Sequence, residues 1–278
     1  MGQTKISWTD VTINPFPGCL KVSPGCANCY AERMAMRLKA MGQSQYQDVV
    51  DEHGWTGRSS CVGVDVMRVV GKGKKVFVNS MGDLFFEGNP FVGIDTMVGA
   101  MLDQPQHTFQ ILTKRAERVL AYYEGVAKSQ GECGEPNPLA YAPNIWLGVT
   151  AENQEWADKR IPILLDIPAA VRFVSLEPLL GSINFTVKCP PHFHPILRLD
   201  QIGWVIVGAE SGLGRRPCDI RWVADIVKQC WEAGIPVFVK QVQHALTGEL
   251  IHDVDRIADY LGYAPEEIRQ FPKKPRGE

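Results

Sequence analysis

The chain has 278 residues, 29 Lys+Arg against 31 Asp+Glu, and a formal net charge of −2. With 45% hydrophobic and 22% charged residues it has the make-up of a folded globular protein. This excludes a disordered tail, a collagen-like fibre and a strongly basic nucleic-acid module. No run approaches the ~18 consecutive apolar residues of a membrane span, and residues 1–10 are too polar for a secretory signal. We therefore expect a cytoplasmic protein without membrane contact, in a reducing compartment. Its eight cysteines then point to metal binding or chemistry rather than disulfides.

The first expected strand is Val11-Thr12-Ile13-Asn14. Short apolar, β-branched runs then start at Val76, Thr108, Ile145, Val171, Trp204 and Pro236, at intervals of 32, 37, 26, 33 and 32 residues. A βα unit takes roughly 30 residues. The runs are continuous rather than alternating, as in strands buried on both faces. Between them, helical spacing predicts helices over 30–41, 89–102, 114–128 and 219–233, the last stopped at Gly234. Residues 152–167 read as two short helices split at Pro162. Two stretches break the rhythm, 42–72 and 182–201, and read as excursions at the rim. Residues 271–278 read as a solvated tail, and the tryptophans, among them Trp146, Trp204, Trp222 and Trp231, as mostly core. The expected fold is α/β: a single domain, 1–278, forming a partial (β/α) barrel of six to seven parallel strands or a doubly wound sheet. In either, ligands sit beyond the C-terminal ends of the strands.

The strongest local signal is the loop Gly18-Cys19-Leu20-Lys21-Val22-Ser23-Pro24-Gly25-Cys26-Ala27-Asn28-Cys29-Tyr30. Three thiols within eleven residues, just after the first strand, can converge on one metal centre. Zinc and iron–sulfur clusters both accept thiolates. A structural zinc site wants a fourth ligand, for which Cys61 or His53 are candidates. Three thiolates on a four-iron cluster leave one iron open. Cys133, Cys189 and Cys230 are scattered. His192 and His194, in a proline-rich loop, are too few for a metal site.

A three-cysteine loop after the first strand of a partial barrel resembles the radical S-adenosylmethionine (SAM) superfamily. The usual spacing there is Cys-x3-Cys-x2-Cys. This chain has Cys19-x6-Cys26-x2-Cys29, with Asn28 in place of an aromatic. Together with Ile6-Ser7-Trp8-Thr9-Asp10, Asn79-Ser80-Met81-Gly82-Asp83-Leu84-Phe85, Leu112-Thr113-Lys114-Arg115 and Ser175-Leu176-Glu177-Pro178-Leu179, the loop is similar to a narrower group of phage and bacterial three-cysteine-motif proteins. The resemblance spans most of residues 4–245.

The resemblance implies a 4Fe-4S cluster on Cys19, Cys26 and Cys29. Its open iron would bind SAM, and reductive cleavage would yield a 5′-deoxyadenosyl radical that removes a hydrogen atom from substrate. It implies an electron donor such as a flavodoxin or ferredoxin. Met81, Gly82 and Asp83 take the place of the superfamily's segment for the SAM amino group, with Gly82 allowing close approach and Asp83 supplying a carboxylate. Thr150 and Glu152 are candidates for the ribose or carboxylate, and Ser175, Glu210 and Ser211 for other polar parts of the cofactor. The glycine-rich Gly208 to Arg216 loop is no Walker loop. Glu177 is a candidate catalytic carboxylate with Lys240 and Gln241 nearby, and Cys218 a candidate hydrogen-atom donor.

The phage connection suggests an isomerase that rearranges an amino-acid (glycine) adduct on thymidine during DNA hypermodification, so that the partner is a modified nucleobase in DNA or a nucleotide. DNA binding is driven largely by phosphate neutralisation, yet the net charge is −2. Local basic runs, Lys72-Gly73-Lys74-Lys75, Lys114-Arg115, Arg215-Arg216 and Lys273-Lys274-Pro275-Arg276, would have to supply it, and a base in duplex DNA would have to be extruded. The alternatives are a radical SAM enzyme acting on a peptide or small metabolite, and a zinc-stabilised, non-catalytic binding protein.

Overall fold

A computed structural model describes residues 4–131, 142–185 and 199–272. Cys133, Cys189, His192, His194 and the basic run 273–276 lie outside the described residues. The chain is α/β with mostly parallel strands, and its contacts divide it into two compact units: residues 1–148 with 167–170, and residues 149–166 with 171–278.

In the first unit β1 (Val11–Ile13) pairs in parallel with β4 (Lys75–Val78), and β4 with β5 (Thr108–Thr113). The start of β6 (Ile145–Thr150) follows β5, where the Phe109 amide donates to the Asn144 carbonyl at 2.7 Å. The connecting helices are α1 (Tyr30–Ala40), α2 (Phe91–Leu102) and α3 (Ala116–Gly131). Helix α2 buries Ile94, Met97, Val98 and Met101 at helical spacing, one apolar stripe. The 42–72 excursion contains a small antiparallel hairpin, β2 (Val50–Asp51) and β3 (Gly54–Trp55).

In the second unit β7 (Val171–Leu176), β8 (Trp204–Gly208) and β9 (Val237–Gln243) run parallel. Antiparallel β10 (Leu250–Ile251) closes the β9 edge. Every residue of β8 is buried, the mark of a strand covered on both faces. The helices are α4 (Gln154–Asp166), α5 (Ile220–Glu232), α6 (Val254–Leu261) and α7 (Pro265–Ile268). The Asp219 side chain caps α5 by accepting from the Arg221 amide at 2.9 Å. No helix among the described residues is long and apolar enough to cross a membrane.

Three expectations need correction. Helix α4 runs unbroken through Pro162. Ala157, Ile161, Leu164 and Leu165 are buried and hold it together, while Pro162 and Asp158 are exposed, so the carbonyl that loses its N–H partner is on the wet side. Trp231 is 66% exposed, because the buried stripe of α5 is Val223, Ile226, Val227 and Cys230 and position 231 falls off it. Phe271 is not free tail: its ring lies 5.4 Å from Trp204 and 5.2 Å from Phe238.

Candidate metal centre

The cysteine loop leaves the C-terminal end of β1 and ends at α1. Gly18 has φ +113°, a left-handed conformation that favours glycine. A Cβ there would lie 2.2 Å from the Arg58 carbonyl oxygen. The Gly18 amide donates to the Met81 carbonyl at 3.1 Å, and Gly18 and Gly82 form a parallel bridge. A Cβ on Gly82 would meet the carbonyl oxygens of Phe16 at 2.5 Å and Gly18 at 2.7 Å. The close approach that Gly82 permits is thus between the segment after β4 and the start of the cysteine loop. Further along, the Tyr30 hydroxyl donates to the Ser80 carbonyl at 2.7 Å, Arg33 to the Asn28 carbonyl at 3.2 Å, and Lys21 pairs with Glu32 at 2.8 Å.

Arg115, at the end of β5, braces the same loop. Its Nη2 donates to the Leu20 carbonyl at 3.0 Å, and its Nη1 lies 3.7 Å from Cys19 Sγ and 3.1 Å from Asp83 Oδ2. Its Nε donates to Glu87 Oε2 at 2.7 Å. Burial opposes its charge, but Asp83, Cys19 and Glu87 outweigh burial and hold the guanidinium protonated. The Asp83 carboxylate is fully engaged: Oδ1 accepts from the Phe85 amide at 3.0 Å and the Thr113 hydroxyl at 2.7 Å, and Oδ2 also accepts from the Lys114 amide at 3.1 Å. Met81 points into a cluster with Ala31, Ala35, Tyr46, Val49 and Val50.

The three thiols differ. Burial, reinforced by the Asp83 charge and only partly offset by Arg115, pushes Cys19 up to about 12, and the charge of Cys26 also acts on it. Burial opposes ionisation of Cys26 too, but Lys114 and hydrogen bonds from the Val22 and Ser23 region outweigh it, so Cys26 falls below the ordinary thiol range. Cys29 is the N-cap of α1, where the helix N–H dipoles favour a negative ligand, and it packs against the Met81 cluster. All three are half-buried, and Cys61 is exposed. Among the described residues no group of three or more His, Cys, Asp or Glu side chains is gathered closely enough for a single metal ion.

A family model described as "Protein of unknown function (DUF5131)" matches residues 3–263. The chain belongs to the DUF5131 family. No curated protein and no solved structure matches it.

The remaining candidates of this DUF5131 chain lie in the second unit, near strand ends. Glu152, fully buried, pairs with Arg160 at 3.1 Å. Arg160 also donates to the Thr150 carbonyl at 2.8 Å and lies 4.0 Å over the Trp156 ring. Glu210 accepts from the Arg216 amide at 2.8 Å and pairs with the Arg216 side chain. Ser175 is buried, and its carbonyl accepts from the Ala151 amide at 2.9 Å. Ser211 lies beside Glu210 and is half-buried. Glu177, followed by a cis peptide bond to Pro178, accepts from Lys240 at 2.5 Å and Gln241 at 2.9 Å. Lys240 and Gln241 stand inside β9, which continues to Gln243. Cys218 is buried, and burial with the Asp219 charge pushes its thiol up to about 12.

Two of the basic runs are not free surface charge. Arg115 is buried in the network above, and Arg216 is paired with Glu210, while Arg215 donates to the Gly248 carbonyl at 2.8 Å. The role of Arg115 and Glu87 was not visible in the sequence. The signal that marks Arg115 is its place just past the end of β5, as for the residues after β1 and β4.

Proposed function

We propose that this chain is a radical SAM enzyme with a partial (β/α) barrel, in which Cys19, Cys26 and Cys29 hold a 4Fe-4S cluster. The observation that carries the proposal is that two of the three thiols, Cys19 and Cys26, each have a positive side chain acting on them, although at Cys19 burial and Asp83 outweigh it. Arg115 stands 3.7 Å from Cys19 Sγ, and Lys114 lowers Cys26. The donor chemistry fits, since thiolates in a half-buried place need such compensation, and Cys29 has the N-terminus of α1 instead. When bound, the cluster and SAM together supply a carbon-centred radical that removes a hydrogen atom from substrate. The chain's own part is positional. Gly18 and Gly82 lock the loop to the segment after β4, Arg115 ties Leu20 to Asp83, and α1 begins at the last thiol. Cys19 must lose its proton to act as a ligand, so loading the site releases a proton there.

The substrate we propose is an amino-acid adduct on thymidine, in phage DNA or as a nucleotide, with the linkage moved from nitrogen to carbon. The setting is a cytoplasmic compartment that supplies a flavodoxin- or ferredoxin-type reductant. Cys218 suits a hydrogen-atom donor in one respect, since its raised pKa keeps it as S–H at neutral pH. Cys230 shares that property from within the α5 packing stripe, so protonation alone does not single Cys218 out. The test is anaerobic loading with iron and sulfide, then reduction in the presence of SAM. The expected product is 5′-deoxyadenosine, absent from Cys26→Ala. A loaded, reducible cluster that never cleaves SAM would overturn the proposal.

A further inference from the structure

A cavity of about 370 Å³ lies in the first unit, between the end of β1 and the 42–72 excursion. Its size falls within the range of small-molecule sites, roughly 300–1,000 Å³, and far above the ~30 Å³ share of one water. Its walls are held in place by the chain itself. The Ser60 amide donates to the Pro17 carbonyl at 3.0 Å, the Val62 amide to the Pro15 carbonyl at 2.9 Å, and the Ser60 hydroxyl to the Gln45 carbonyl at 2.8 Å.

Ile13, Val62 and Val66 give it apolar flanks, and Thr12, Asn14, Gln45 and Tyr46 give it polar groups. None of these residues carries a formal charge. The Tyr46 residue is only 4% exposed, yet its hydroxyl makes no hydrogen bond among the described residues. Burial raises its pKa, so it faces the cavity as a neutral phenol. The Thr12 hydroxyl is likewise without a partner among the described residues. Asn14 is oriented: its Oδ1 accepts from the Met81 amide at 2.8 Å and the Ser80 hydroxyl at 3.1 Å, which leaves Nδ2 as a donor. Gln45 donates Nε2 to Gln43 at 3.1 Å, which leaves Oε1 as an acceptor.

Polar groups that line a cavity without protein partners are free to hydrogen-bond a ligand in place of water. A fixed amide donor, a carbonyl acceptor, two hydroxyls and apolar flanks match a group that carries a carbonyl beside an N–H. We propose that this cavity is a binding site for an uncharged small molecule, or an uncharged group of a larger one, that presents an amide or lactam edge. The proposal does not depend on the cluster, because none of the cavity's polar groups is a cysteine.

The probes are uracil and nicotinamide, which are neutral and carry such edges, and orotate, which is uracil with an added carboxylate. Binding is followed by calorimetry and ligand-observed NMR on the full chain. Uracil should bind, and orotate should bind at least about tenfold more weakly. Asn14→Asp keeps the two bonds to Ser80 and Met81 while replacing the donor by a charge, and should weaken uracil by about tenfold or more. Tyr46→Phe removes a hydroxyl that supports nothing in the fold and should weaken uracil a few-fold, roughly 2- to 10-fold. Should Asn14→Asp not fold, Tyr46→Phe still decides. No binding of uracil or nicotinamide at about 10 mM, equal affinity for uracil and orotate, or wild-type affinity in Tyr46→Phe would each overturn the proposal and leave a hydrated cavity.

Discussion

Replacing Arg115 by Met keeps most of its volume and removes only the charge and the donors. The side chains of Arg115 and Asp83 are 4% and 7% exposed and meet at 3.1 Å. At that distance two unit charges attract by about 5 kcal/mol at an effective dielectric of ~20. Breaking a buried pair by removing one partner typically costs 3–5 kcal/mol, because the other charge is stranded. Asp83 would keep its bonds from the Phe85 amide, the Thr113 hydroxyl and the Lys114 amide. Glu87, with a side chain 57% exposed, would simply return to water. The expected loss is therefore at the low end, about 3 kcal/mol. The assay is urea unfolding of the metal-free chain followed by tryptophan fluorescence, to which Trp8, Trp55 and Trp146 of the first unit contribute three of seven reporters. Adding Asp83→Asn to Arg115→Met removes the stranded charge and should restore about 1–2 kcal/mol. A single-variant loss under about 1 kcal/mol, or a double variant no better than Arg115→Met, would refute the reasoning that a buried ion pair anchors the cysteine loop.

Three further outcomes follow from the same structure. At pH 7–8 iodoacetamide should label Cys26 well before Cys19, since Lys114 lowers the one and burial lifts the other to about 12; peptide mapping separates both from exposed Cys61, and equal rates would contradict the electrostatics. Gly82→Ala should destabilise by roughly 1–3 kcal/mol, because its Cβ would press on two backbone oxygens at 2.5 and 2.7 Å that cannot swing aside; an unchanged unfolding midpoint would show that the loop can shift. In the second unit Arg160→Met should cost about 3 kcal/mol or more, against about 1 kcal/mol or less for Lys240→Met. The difference arises because the Glu152–Arg160 pair is dry and the Glu177–Lys240 pair is near 20% exposed. Similar losses from the two would argue that burial does not set their worth.

Much of the scaffold was legible because the signal was redundant. The six runs starting near residues 76, 108, 145, 171, 204 and 236 became strands with boundaries shifted by a residue or two, except β9, which runs on to Gln243. Their apolar continuity and their spacing both demanded a covered parallel sheet. What escaped was decided by tertiary contact. A proline reads as a helix breaker, but the buried Ile161 and Leu164 around Pro162 outweigh one lost hydrogen bond on an exposed face. The two-residue strands β2, β3 and β10 carry too few side chains for any periodicity, and α6 and α7 went unmarked although Asp253 and Gly262 cap the first of them. At the site the cysteines were plain as a motif, while their electrostatic partners were not. Arg115 reads locally as one of a basic pair, and only the parallel register of β4 and β5 brings it to Asp83 and to the loop after β1. Asp83 stands out in the sequence as a candidate carboxylate, but the donors its oxygens accept from, on Thr113, Lys114, Arg115 and Phe85, emerge only from the fold.

The proposed function stands or falls with the proposed cluster on Cys19, Cys26 and Cys29. Its most direct test is iron, sulfide and zinc analysis with an absorption spectrum on anaerobically purified protein, comparing wild type with Cys26→Ala. About four irons and four sulfides per chain are expected, lost in the variant. One zinc without sulfide would contradict it.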